Sequence, residues 1–443
     1  MASATDTNSL VKTLLAENKR PTEAQEREIR DAIPRLKEVV MKTQKEFNDV
    51  DISLAIIPFD QTPDAHLTEE LGRLTLELNS AKDRLANHMS SIAFGRQVPV
   101  EVLEVIFRLC LPQTDYIVPD SKEAPLVLCR VCSAWRKVAL VTPRLWCSLS
   151  LHLGRRPGAW KTFLESWLGR SGQLPLSLSI ESDPTVQVYQ YFNDHVVKLL
   201  LKHAKRWHRL RLDVPSSSLT KLLNASFPLL EHLEIDARNP FPGLFFSVSD
   251  APRLQRFSLI SGMSNPSSLH VPWDRLTHFD APNYPFQRQE CFSMLAKCKN
   301  LTRCTIHISS VTPTTATPQS LPPLLKRLCC LVLIGAIYED SVTLFLEQMK
   351  LKLPSLESLE LVNLRPGPFF RPDSPIFELG RQSNLKRLRL AGGRPLDGLF
   401  DAVVAIPSLR EVYLEKDDLG SPSIPVPYAI QEALDMRIST GVT

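Results

Sequence analysis

The sequence predicts an α/β chain in three parts. An N-terminal helical arm comes first, then a unit of three short helices. A long, irregular array of strand–helix repeats follows, stacked into a curved parallel sheet with helices outside. Three observations carry this reading. Apolar residues from Leu67 to Ile92 recur at alternating steps of four and three, the spacing of a heptad seam. Residues 98–146 hold three short amphipathic stretches that end in a Thr-Pro break and a tryptophan. Beyond residue 200 one six-residue apolar pattern returns nine times. Proline follows the same division: of 35 prolines only Pro21, Pro34, Pro58 and Pro63 precede residue 94, so the remainder is built of many short elements with turns between them.

The bounds agree. A chain of 443 residues with 43% apolar content is long enough for two or three domains with sizeable cores. Net charge is +4, unevenly placed. Residues 1–93 carry 12 basic against 16 acidic side chains, and the remainder 40 against 32. That surplus is too thin for a nucleic-acid footprint. Nine cysteines show no framework spacing, no N-terminal apolar segment announces secretion, and no stretch approaches the roughly 18 apolar residues of a membrane span. These features point to a reducing compartment, cytoplasmic or nuclear.

The arm covers 1–93. Thr22-Glu-Ala-Gln25 fits a capping box that opens a helix, which Pro34 is expected to kink or restart. Thr62-Pro63 gives a second start. From there Leu67, Leu71, Leu74, Leu78, Ala81, Leu85, His88 and Ile92 form the seam. Two such helices joined through 49–63 could fold back as an antiparallel hairpin; the same seam could instead dimerise two chains.

The next unit covers 94–150. Val98-Pro99 starts a helix with Pro at the first helical position, and Val102, Leu103, Ile106, Phe107 and Cys110 fall on one apolar face. After a polar loop at 113–124, "APLVLCRVCSAWRKVAL" supplies a second amphipathic helix carrying Leu128, Val131, Cys132, Trp135 and Val138. "TPRLW" presents Leu145 and Trp146 on a short turn. Three short helices bury little area alone, so such a unit needs something to dock on. Cys129-x-x-Cys132 has redox or half-zinc spacing, but no second pair follows nearby, and cysteines on a helix are ordinary small apolar residues.

The order Val98-Pro99-x-Glu101-Val102-x-x-x-Ile106-Phe107, Leu128-x-x-Val131-Cys132-x-x-Trp135-Arg136, Pro143-x-Leu145-Trp146 resembles an F-box. It is closest to the F-box-like variety, common among fungal proteins, in which a coiled arm precedes the box. Val98 stands where Leu is usual before the Pro, and the 113–124 loop is longer than in compact boxes. The resemblance implies docking on the Skp adaptor of a Skp–cullin–F-box ubiquitin ligase, and through it on a cullin. By position it assigns that contact to Pro99, Val102, Ile106, Phe107, Val131, Trp135 and Trp146.

The repeats run through 151–430, with a tail at 431–443. They begin at Trp207, Leu230, Leu254, Leu276, Leu301, Leu328, Leu356, Leu385 and Leu409, each reading apolar-x-x-apolar-x-apolar and spaced 22 to 29 residues apart. A period of roughly 20–29 belongs to leucine-rich repeats. Helix-like runs lie between strands at Cys291–Lys299, Val342–Lys350 and Leu396–Ile406. The asparagine that usually follows the strand is largely absent, Asn363 being close but misplaced, so the repeats are degenerate. "LPLSLSIES" adds a strand within one or two further irregular repeats at 150–200. One repeat cannot bury its own apolar face, so neighbours must stack into a solenoid.

Alternate strand residues then face the concave side, among them Arg211, Asp213, Glu234, Asp236, Asp280, Thr305, His307 and Glu360. Arg387, Arg389 and Tyr413 are the candidates for substrate binding, because Arg and Tyr are enriched in hot spots. The run Lys198, Lys202, Lys205, Arg206, Arg209, Arg211 reads as a solvated face rather than a phosphate site. No catalytic motif stands up, and no metal or cofactor is expected. The reading is a non-catalytic substrate-recognition subunit, with box on adaptor and solenoid on an unidentified protein substrate. The alternative is a non-ligase scaffold that joins proteins through arm and solenoid.

Overall fold

The computed structural model describes residues 4–17, 19–55, 65–93, 98–153, 157–182, 194–214, 216–236, 248, 250–261, 269–309, 321–335, 341–349, 351–362, 375–391, 405–415 and 431. It divides into two compact units, one of residues 1–112 and 120–145, the other of residues 113–119 and everything from Trp146 onward. Arm and short helices thus share a unit, and the second unit begins at Trp146 rather than after residue 150.

In the first unit α1 (Ala4–Glu17), α2 (Glu23–Ala55) and α3 (Ala65–Ser91) pack together. The capping box forms reciprocally: the Thr22 amide donates to Gln25 Oε1 at 2.9 Å, and the Gln25 amide donates to Thr22 Oγ1 at 3.4 Å. Pro34 does not restart α2, which runs through it. Pro34 and Arg30, whose carbonyl loses its partner to the imide nitrogen, are both exposed, so that carbonyl is open to water.

α2 and α3 run antiparallel. Ile92 packs near Ile29 at one end, and Lys82 Nζ donates to Gln44 Oε1 at 2.9 Å further along. Leu74, Leu78, Ala81 and His88 of the seam are buried within the single chain, and Leu67, Leu71, Leu85 and Ile92 are half-buried. The hairpin therefore accounts for the heptad spacing without a second chain. The loop at 56–64 lies outside the described residues.

The second unit holds an open sheet of eleven parallel strands in strict chain order. They are β1 (Ser148–Leu153), β2 (Leu176–Ser182), β3 (Trp207–Asp213), β4 (His232–Asp236), β5 (Arg256–Ser261), β6 (His278–Gln287), β7 (Arg303–Ser309), β8 (Cys330–Gly335), β9 (Ser358–Val362), β10 (Arg387–Ala391) and β11 (Glu411–Glu415). All nine expected repeat segments form strands, β3 to β11. The register joins Leu149, Leu178, Leu210, Leu233, Phe257, Phe279, Cys304, Leu331, Leu359, Leu388 and Val412 into one unbroken apolar column. Each repeat's leading apolar residue, from Trp207 to Leu409, is also buried.

The repeats from β5 to β11 share a backbone device at the strand entry. One carbonyl of the preceding repeat accepts two consecutive amides, as Gln255 O does from Thr277 and His278, and Cys329 O from Glu357 and Ser358. That pair of hydrogen bonds fixes the register against slipping by one residue, which would turn the apolar column outward. Rings fill the interior behind it: Phe279 lies 6.0 Å from Phe257 and 5.4 Å from Trp273.

Helices cover the buried face. Among them, α10 (Arg288–Leu295) lies against β6, and α11 (Ser341–Met349) lies against β7 and β8, with Phe292 and Phe345 stacked at 5.4 Å. These two match the expected runs to within a few residues. Between the early strands lie α7 (Pro157–Arg170), α8 (Asp194–Leu201) and α9 (Ser216–Leu223). A further helix, α12 (Pro375–Gln382), was not foreseen. The expected helix at 396–406 falls almost wholly outside the described residues, as do Asn363 and nearly all of the tail.

Phe279→Ala should cost about 3–5 kcal/mol, the usual penalty for emptying a fully buried aromatic site. Urea denaturation followed by tryptophan fluorescence measures it. A loss under about 1 kcal/mol would contradict the packing.

Candidate functional site

The first candidate surface belongs to α4 (Val100–Leu109), α5 (Leu128–Val131) and α6 (Ser133–Val141) of the first unit. Pro99 is the N-cap of α4 rather than its first helical residue, and its carbonyl accepts from Leu103 N at 2.9 Å. The second expected helix is broken in two. Cys132 is extended (φ −158°, ψ 171°), and its Sγ accepts from Trp135 N at 3.5 Å as the N-cap of α6. Arg136 Nε reaches back to the Cys129 carbonyl at 2.7 Å, taking an acceptor that the break exposes. The Cys-x-x-Cys spacing thus serves a helix boundary.

Leu103 and Phe107 point inward, and the Phe107 and Trp135 rings meet at 4.9 Å, tilted by 56°. Leu128, Val138 and Ala139 complete that interior. The other side of α4 stays apolar and open: Val102, Val105 and Leu109 are 47%, 52% and 76% exposed. Steps of three and four place these three on one helical face. Val100, Val131 and Val141 are exposed as well. A helix apolar on nearly every side is ordinarily buried on every side, and α4 is covered on one only.

The seven residues singled out in the sequence therefore divide. Pro99, Val102 and Val131 are exposed, while Ile106 and Trp135 are half-buried. Phe107 is fully buried and holds α4 from inside, so it presents nothing to a partner. Trp146 is placed apart from the other six. It lies in the second unit, fully buried, edge-on to Trp167 at 4.8 Å and with the Arg170 guanidinium 4.6 Å from its ring centre. Val105 and Leu109, the most open members of the stripe with Val102, were missed. Their signal was the excess of apolar residues in α4 over what one face needs.

The second candidate surface is the open face of the sheet. Its central column reads Arg211, Glu234, Ser258, Asp280, Thr305, Val332, Glu360, Arg389 and Tyr413 from β3 to β11. Arg387, Arg389 and Tyr413 do share this open face, in two neighbouring columns. Two of them are engaged: Arg389 Nη1 pairs with Glu360 Oε1 at 2.6 Å, and Tyr413 Oη donates to Glu411 Oε2 at 3.1 Å. Arg211 likewise pairs with Glu234 at 3.1 Å. Burial holds the Glu234 carboxyl above its ordinary range despite that partner.

The long 113–119 loop has a place in the second unit. Ser150 N donates to the Ile117 carbonyl at 2.7 Å, and Ser148 Oγ donates to the Asp115 carbonyl at 2.9 Å, so the loop lies along the free edge of β1. Asp115 reaches Arg209 as an ion pair. Burial, with Glu234 and Asp115 nearby, pushes the Tyr116 phenol up to about 12.

One column nearer the strand entries, β3 to β7 present Arg209, His232, Arg256, His278 and Arg303 in register. The sequence reading passed over four of these and took Arg209 only as part of a solvated run. Aligning the residue before the second apolar position of each repeat would have found the row. Burial, then Arg256 and Arg209, lower the His232 pKa, with Asp115 and Asp280 opposing. Burial, then Arg256 and Arg303, lower that of His278 against Asp280.

Among the described residues no group of His, Cys, Asp and Glu is arranged to hold a metal ion, and no helix is long and apolar enough to cross a membrane. No protein-family model matches the chain, and no curated protein is significantly similar to it.

Both imidazoles titrate below their ordinary 6.5 in the fold. The unfolded chain therefore binds more protons as pH falls, so this contribution is complete above that value and is lost on acidification through the folded pKa. Denaturation midpoints at about pH 7.5 and 5.5 should fall less for His232→Gln/His278→Gln than for the parent chain. An equal fall would remove the two histidines from the account.

Proposed function

We propose that the chain is a non-catalytic adaptor of a Skp–cullin–F-box ubiquitin ligase, with α4–α6 as an F-box-like unit and the strand repeats as a degenerate leucine-rich solenoid that captures a protein substrate. The observation that carries it is the open apolar stripe Val102–Val105–Leu109 on a helix anchored behind by Phe107 against Trp135. The ordered Pro99, Ile106, Phe107, Val131 and Trp135 pattern, which resembles the F-box, gives that stripe its partner. Burying one Val or Leu side chain contributes about 1.5–3 kcal/mol, so three together supply a substantial part of a stable interface. Such a subunit needs no reactive group of its own. It raises the effective concentration of a substrate lysine beside an enzyme that another subunit holds.

Titration of the full chain with a purified Skp adaptor tests the reading. Val105→Asp/Leu109→Asp should weaken binding by more than about tenfold, a loss above about 1.4 kcal/mol, with an unchanged circular-dichroism spectrum. Unaltered binding, or none by the parent chain, contradicts it. Affinity capture that returns neither adaptor nor cullin favours the scaffold alternative.

A further inference from the structure

The row Arg209, His232, Arg256, His278 and Arg303 crosses five adjacent strands on the open face of one sheet. Its five members are not equivalent. Arg209 is held by Asp115. Arg256 and Arg303 are exposed, and neither has an ion pair within the described residues. His232 and His278 are half-buried between the arginines, and His278 Nδ1 lies 2.9 Å from Thr277 Oγ1.

Neighbouring strands lie about 4.8 Å apart, so the two free guanidinium groups leave the sheet at points separated by about 10 Å. A peptide in the polyproline II conformation advances about 3.1 Å per residue with three residues per turn, so two acidic side chains three residues apart lie on one side and match that interval. A nucleic-acid strand fits worse. Its charges come about every 3.4 Å along each strand, and the carboxylates of Asp280 and Glu234 in the adjoining column would repel the surplus.

We propose that β4–β7 form a docking surface for an acidic peptide segment of a partner protein, with carboxylates three residues apart engaging Arg256 and Arg303. This deepens the substrate-capturing half of the function proposed above and rests on that reading only for what happens to the partner afterwards. It also moves the contact from Arg387, Arg389 and Tyr413 to the middle of the sheet. Protonation of His232, flanked by Arg209, Arg256, Asp115 and Asp280, and of His278, flanked by Arg256, Arg303 and Asp280, adds positive charge to the row on acidification. Binding therefore tightens as pH falls, until the peptide's own carboxylates protonate.

Fluorescence anisotropy with the full chain tests this, using four labelled probes. They are a Gly/Ser peptide with glutamates three apart, the same peptide with glutamines, one with a single phosphoserine, and a single-stranded oligonucleotide. The glutamate peptide should bind at least about tenfold tighter than the glutamine peptide. That preference should disappear in Arg256→Gln/Arg303→Gln. It should reverse in Arg256→Glu/Arg303→Glu, the glutamine peptide then binding tighter than the glutamate peptide. The gain between about pH 7.5 and 5.5 should vanish in His232→Gln/His278→Gln. Equal affinity for the glutamate and glutamine peptides, binding untouched by the arginine changes, or tighter binding of the phosphoserine or oligonucleotide probe overturns the proposal. Adaptor binding is measured on the same samples. Its absence alongside intact peptide selectivity overturns the ligase reading alone.

Discussion

The structure depends on one constraint, the in-register alignment of a single apolar position across eleven parallel strands. A strand of five to seven residues alternates its side chains, so fixing which residue enters the column fixes every other residue's face. No repeat buries its own share. Leu233 is covered because Leu210 and Phe257 flank it, and each of those depends on its next neighbour. The paired amides that meet one carbonyl at each strand entry from β5 to β11 hold the alignment through irregular spacings. Even the register shift in β6 between Ala281 and Pro285 leaves Phe279 opposite Cys304. Every property of the open face follows, including the rows of charge that cross it.

The same logic of covered and uncovered faces governs the first unit. The seam of α3 is covered within the chain by α2, so its heptad spacing leaves no need for a second copy. In α4 the covering stops halfway. Leu103 and Phe107 are inside, while Val102, Val105 and Leu109 face solvent. An apolar stripe on so short a helix is costly to leave in water, which is why a partner is the economical explanation.

Much of this was legible in the sequence. The nine repeats are visible because period-two alternation at a fixed offset survives wide variation between strands. The capping box at Thr22 and Gln25 is visible because it is local. What escaped depends on three-dimensional competition. Leu128 to Val141 has a continuous helical pattern, and the break shows only in the extended Cys132 backbone, whose thiol accepts the Trp135 amide. Trp146 sits among box-like residues in sequence, yet Trp167 and Arg170 offer it a complete pocket in the second unit. The Arg–His row was invisible to motif reading because its members are some 22 to 25 residues apart and become neighbours only through the register. Pro34 shows the reverse case: a strong local breaker is tolerated where the affected carbonyl is exposed.

Amide hydrogen exchange on the full chain, with and without a purified Skp adaptor, tests the central claim most directly. The account predicts added protection confined to Val100–Leu109 and the α5–α6 segment, with β3–β11 unchanged. Protection that spares Val100–Leu109, or falls on the sheet instead, would contradict it.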